Sequence, residues 1–233
     1  MAESGYPTFG WSLCYAALVN EAASDSLRRR HAALPFVVFL VAWALSAYGP
    51  RYPADWWLEN WLVLAALPLL LFIWRRAPLS RAGWIAVFAF LSLHELGAHY
   101  TYSEVPYDEW ARALTGGTVN ELFGWERNHY DRLVHFLYGA LLVLPLRDLI
   151  MRGTGLTGAW SYVLPVTFTM STSVIYELIE WAAAEVFGGE LGMAYLGTQG
   201  DVWDGHRDMG LASLGAFLAM TCAYFLSARR GRR

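Results

Sequence analysis

Apolar residues gather into six continuous runs, 32–49, 57–74, 82–98, 132–150, 160–182 and 209–227. Each is close to the roughly 20 residues with which a helix crosses a bilayer. The runs are uninterrupted rather than alternating, which speaks against the period-two pattern of a membrane β-barrel. The pattern predicts an all-α integral membrane protein, a bundle of about six transmembrane helices over residues 31–227. A cytoplasmic or interfacial extension, residues 1–30, precedes it, and a basic cytoplasmic tail, residues 228–233, follows. Long connections at 99–130 and 183–208 are predicted on the outer side, the second rich in glycine (Gly188, Gly189, Gly192, Gly197, Gly200). Long loops in a compact domain are often lids or binding loops.

Arginine placement orients the bundle. With a cytoplasmic N-terminus, the inner segments hold twelve of the seventeen basic residues, all of them arginine: Arg28, Arg29, Arg30, Arg75, Arg76, Arg81, Arg147, Arg152, Arg229, Arg230, Arg232 and Arg233. Positive residues accumulate on the cytoplasmic side, so both termini are expected there. Tryptophans fit the same frame, with Trp56, Trp57, Trp181 and Trp203 at the outer interface and Trp74, Trp84 and Trp160 at the inner one.

The exceptions to the apolar pattern carry the chemistry. Four groups of ionisable residues border the runs: His94, Glu95 and His99; Asp131 and His135; Glu177 and Glu180; Asp201, Asp204 and Asp208. Residues three or four apart share a helix face, so each group presents paired ligand-type side chains in one direction. The predicted topology brings all four to one membrane level, on the outer side. A charged side chain at the bilayer centre costs about 2.5–3.5 kcal/mol on insertion scales, so such a set needs mutual partners, water or an ion. A divalent cation held by Glu95, His99, Asp131, His135, Glu177, Glu180, Asp204 and Asp208, not all at once, resolves the charge most simply. Glu180 or Asp201 would be left as general base. The plainer alternative for part of the set is ion pairing to Arg132 and Arg207, or a favourable position at a helix start.

Composition agrees with the membrane reading: 56% of residues are hydrophobic, 16% are charged and mean hydropathy is +0.31. Two cysteines, Cys14 and Cys222, supply neither a disulfide framework nor a thiolate metal site. Mixed imidazole and carboxylate ligands suit Zn, Mn, Fe or Mg. No nucleic-acid-binding surface, P-loop, dinucleotide fingerprint or nucleophile elbow is present, and HELGAH at 94–99 is not the HExxH protease pattern.

The stretches HELGAHYTYSEVPYDEW, LFGWERNHYDRLVHFLYG, YELIEWAA and FGGELGMAYLGTQGDVWD resemble the YjdF-type family of bacterial inner-membrane proteins over about residues 30–227. That resemblance implies a multi-pass inner-membrane architecture and brings no activity with it. A shorter one, over about residues 131–219, links Asp131, His135 and Phe136, then Glu177 or Glu180, then Asp204 and Asp208 to VanZ-like membrane proteins. Asp208 stands where those carry Asn. It implies cell-envelope or lipid chemistry. The expected function is therefore a metal-dependent hydrolase or transferase acting on a membrane lipid or lipid-linked substrate at the outer leaflet. A divalent-metal or proton carrier or sensor and a di-iron oxidase of acyl chains are the alternatives.

Overall fold

The apolar runs fold as helices whose ends follow local sequence signals. The computed structural model describes residues 24–189, 192 and 198–230, which are helical with no strand among them. After a helical stretch at 24–30 come α1 (Ala33–Ser46), α2 (Pro53–Arg76), α3 (Arg81–Tyr100), a 3-10 turn at Tyr102–Glu104, α4 (Tyr107–Thr115) and α5 (Val119–Phe123). The chain continues through α6 (Tyr130–Thr154), α7 (Trp160–Phe187) and α8 (Asp204–Arg230). Pro53 opens α2, where its missing N–H costs nothing. The Ser80 hydroxyl caps α3 by accepting the Gly83 N–H, and Thr118 with Glu121 forms a capping box on α5. The expected outer loop 99–130 is therefore largely built of short helices. Residues 1–23 of the expected extension, 190, 191 and 193–197 of the expected second loop, and 231–233 of the tail lie outside the described residues.

Among the described residues four helices are long and apolar enough to cross a membrane: α2, α6, α7 and α8. α1 is shorter, at 14 residues, and α3 has 20 residues but carries His94, Glu95 and His99. Large apolar side chains on the outer faces, among them Val41, Phe72, Ile175 and Phe217, are exposed. In water such patches would drive association; against lipid they are the matched surface.

The helices separate two ends. At one, Arg29 donates to the Trp74 and Arg75 carbonyls and Arg152 pairs with Asp25 at 2.9 Å. There Asp148 accepts the Ser80 N–H at 2.8 Å. At the other end, the Arg51 N–H donates to the His99 carbonyl, and the Asp131, Glu177 and Asp201 groups gather. An aromatic and aliphatic core of Phe39, Val63, Trp84 and Phe88 binds α1, α2 and α3. A second, of Val143, Ala216 and Met220, binds α6 to α8, with Tyr162 and Val166 of α7 packed on it.

The α6–α8 contact is the closest in the bundle, and the sequence dictates why. A Cβ at Gly139 would collide with the Ala212 carbonyl oxygen, and one at Gly215 with the Phe136 carbonyl oxygen. Small residues let two backbones approach in a membrane. One turn from the Gly139–Ala212 contact on each helix, the same approach sets His135 of α6 beside Asp208 of α8.

Candidate functional site

Three of the predicted ligand residues converge. Asp131, His135 and Asp208 each offer one ligand atom, and these atoms all lie within 4.8 Å of one another. Asp131 and His135 are one turn apart on α6, with Asp131 Oδ1 3.5 Å from His135 Nε2. On the other side of the imidazole, Nδ1 faces Glu177 Oε1 of α7 at 3.7 Å. Asp208 is 2% exposed, and among the described residues its Oδ1 has no hydrogen-bond partner; nor has Glu177 Oε1. No arginine pairs with Asp131, Asp208 or Glu177 among the described residues. Buried polar atoms are nearly always partnered, so two orphaned carboxylate oxygens beside one imidazole, with no arginine paired to them, mark a place shaped for something else.

The remaining predicted residues are handled differently. Asp204 is held by Arg127 at 2.8 Å and Arg132 at 3.3 Å. Asp201 pairs with Arg132, Arg207 and Arg127. Burial pushes the Asp201 carboxyl up, but the Trp203 backbone N–H and the three guanidiniums outweigh it and hold the group below its usual range. A carboxylate so engaged is ill suited to take a proton. Arg127 also donates to the Thr198 carbonyl, while Asn128 and Gln199 exchange hydrogen bonds, so the connection before α6 and the one before α8 are tied together over this ion cluster. His129, at the start of α6, lies below its usual pKa because of partial burial and the nearby Arg132, Arg127 and Arg207.

Glu95 and His99 point the other way. Ser46 donates to Glu95 Oε2 at 2.5 Å, and Trp56 Nε1 donates to Ser46 at 3.1 Å. His99 Nδ1 lies 2.9 Å from the Ser46 carbonyl oxygen. Both thus fasten the end of α1, away from the Asp131–His135–Asp208 cluster.

Glu180 lies on the wall of a partly open cavity of about 450 Å³ lined by α2, α3, α6 and α7. Asp131 and His135 border the same space, so the ligand cluster opens into it. Sequence reasoning missed two further wall residues, Glu59 and Tyr102. Glu59 is 6% exposed, with Oε2 unpartnered. Its signal was available: between Asp55 and Arg75, Glu59–Asn60 are the polar pair in the apolar body of α2. The Tyr102 hydroxyl is 2.5 Å from His94 Nδ1, a contact made by a turn that periodicity does not reveal.

The family model for "Predicted membrane protein (DUF2238)" matches residues 31–229. The chain belongs to this family. It is 34% identical over 196 residues to the inner membrane protein YjdF of Escherichia coli, an alignment covering 84% of this chain and 87% of that protein. No solved structure matches. Membership with several apolar helices makes this a multi-pass inner-membrane protein. The matched region contains every residue of the cluster and of the cavity.

Proposed function

We propose that the protein is a metal-dependent enzyme that acts at the outer leaflet on a lipid or lipid-linked substrate, by hydrolysis or group transfer at a phosphate or ester. In this reading α1 and α3 also cross the membrane, giving six spans with both termini cytoplasmic. The clustering of arginines near Trp74, Arg152 and residues 24–30 supports that orientation.

The observation that carries the proposal is the convergence of Asp131, His135 and Asp208, with Asp208 Oδ1 orphaned, at the polar end of an apolar cavity. One imidazole and two carboxylates fit a Zn, Mn or Fe ion, and three protein ligands leave a coordination position open, as catalytic sites do. Such an ion supplies a Lewis acid for water or for a phosphoryl or carbonyl oxygen. The chain's own residues do the rest. Glu177, facing the second imidazole nitrogen, orients His135. Glu180, on the cavity wall, is placed to accept a proton beside the cluster. The VanZ-like motif likeness fits the same three helices.

The lower wall of the cavity favours an enzyme over a carrier. From Leu142 to Leu149 on α6, and from Val63 to Ile73 on α2, the residues lining it are apolar. A charge moving across the membrane needs polar groups or broken helices at that depth.

Metal analysis of the purified protein tests the reading. Asp131→Asn and His135→Ala are expected to lose bound metal. Asp148→Asn, at the opposite end and engaged with Ser80, keeps it. Equal metal content in all three variants would overturn the site.

A further inference from the structure

The cavity itself carries a further inference, which rests on the lipid-directed reading above. We propose that it is a slot for one neutral long-chain lipid whose head group bears hydroxyls. The head lies at the Asp131 level and the chain runs along α6 toward the opposite end of the bundle.

Length comes first. The wall on α6 extends from Asp131 to Leu149, about 27 Å at 1.5 Å rise per residue. That nearly matches the roughly 30 Å hydrocarbon thickness of a bilayer. Between these limits the α2 wall and the lower α6 wall are apolar, with Val63, Leu70 and Ile73 from α2 opposite Leu142 and Leu146 from α6. The hydroxyls at mid-depth lie on the α6–α7 side: Tyr138 donates to Thr172 at 2.6 Å, Thr169 donates to the Pro165 carbonyl, and Ser173 Oγ has no partner among the described residues. α2 packs chiefly on α3 and faces α6 and α7 across the cavity rather than packing closely on them. A long apolar gap between membrane helices is filled by the chain of a lipid, the apolar molecule that the surroundings supply.

The head end is built differently. Glu59, His94, Tyr102, Asp131, His135 and Glu180 border it. Among the described residues Glu59 Oε2 is without a partner, and Glu59 is more than nine-tenths buried. A buried acceptor left unmatched is unfavourable, so this wall calls for a ligand that donates a hydrogen bond. Three carboxyl groups and no arginine line the slot, and Arg127 and Arg132 are engaged outside it by Asp201 and Asp204. Asp131 is a ligand of the cation proposed above, but Glu59 and Glu180 border the head end with no arginine on the wall, so an anionic phosphate meets repulsion beside them. A hydroxylated neutral head gives Glu59 Oε2 a donor and leaves its ester oxygen free to face the cluster.

Photolabelling tests this with the full-length purified protein and a monoacylglycerol carrying a diazirine in its acyl chain. Mass spectrometry is expected to place the label on slot residues such as Leu70, Leu142 and Leu146. Unlabelled monoacylglycerol competes, and phosphatidylglycerol at the same concentration does not. Ala66→Trp fills the slot and loses the slot label; Phe225→Trp, on an exposed face of α8, keeps it. Label spread evenly over exposed residues such as Phe217 and Phe225 would overturn the slot. Equal competition by phosphatidylglycerol would overturn the neutral head. If Ala66→Trp fails to fold, the wild-type map and the competition decide alone. The same labelling on metal-stripped protein separates the two readings. Slot labelling without any metal binding leaves the slot standing and the enzyme reading fallen; metal binding with even labelling does the reverse.

Discussion

Two groups of carboxylates lie side by side at one end of this bundle and are neutralised in opposite ways. Asp201 and Asp204 meet the guanidiniums of Arg127, Arg132 and Arg207. Asp131, Asp208 and Glu177 share a single imidazole, His135, and meet no arginine among the described residues. The planar fork of arginine suits a carboxylate, so the first group has its counter-charge, although Asp204 Oδ2 and Arg132 Nε lack a partner among the described residues, and it pins the connection before α6 to the start of α8. The second remains short of positive charge. Carboxylates this close repel strongly in a low-dielectric setting unless a cation or a shared proton lies between them. Clustering of acids therefore does not by itself mark a site; clustering without a counter-ion does.

The largest expected effect comes from removing the geometry that brings the second group together. Gly139→Ala drives a methyl group into the Ala212 backbone, where neither helix can yield without separating. Overpacking of this kind costs about 1–3 kcal/mol, and occasionally more. A lowered thermal midpoint in detergent is expected together with lost metal, because His135 and Asp208 lie one turn from the contact. Gly139→Ala protein with wild-type stability and metal content would show that close α6–α8 packing does not build the site.

A direct contrast comes next. Loss of a carboxylate that merely orients a ligating His weakens metal sites roughly 10–100-fold, and loss of a ligand weakens them at least as much. Asp208→Asn is expected to weaken metal binding by about 100-fold and to leave stability little changed, since it relieves repulsion. Glu177→Gln falls at the lower end, about 10-fold. Asp204→Asn should do the opposite. It keeps the metal and loses about 1.5–3 kcal/mol of stability, the worth of hydrogen bonds to a charged group. Isothermal titration with Zn²⁺ and Mn²⁺, beside thermal unfolding, reads both quantities. Metal loss in Asp204→Asn equal to that in Asp208→Asn would erase the distinction between the groups.

The contrast also explains what was legible in the sequence. Periodicity and length located the long helices, because a bilayer admits few ways to satisfy a buried backbone. The i, i+4 spacing of Asp131 and His135 is a property of one helix and was readable directly. Which groups face each other is a property of helix rotation, and hydropathy is nearly blind to that. Glu95 and His99 share a face as firmly as Asp131 and His135 do, yet the face is turned toward α1. Glu59 was passed over because one acid in a long apolar run hardly alters its mean. Gly139 carried a signal only in combination with Ala212 and Ala216, a pairing that needs the α6–α8 contact to be known.

The smallest effect on metal is expected where sequence spacing and structure part. Glu95 is 1% exposed and its Oε2 accepts from Ser46, while Oε1 has no partner among the described residues, and His99 meets the Ser46 carbonyl oxygen, so each is anchored to the end of α1. Glu95→Gln preserves the acceptor for Ser46, and His99→Ala deletes one hydrogen bond worth about 0.5–1.5 kcal/mol. Both variants should retain full metal content while His99→Ala unfolds at a modestly lower temperature. The reason lies in the direction of the helix face: a ligand role would require α3 to turn and abandon the end of α1, where Trp56 also donates to Ser46. Metal analysis beside a thermal scan decides it. A folded His99→Ala protein without metal would place α3 in the site and extend the uncompensated group to a third pair.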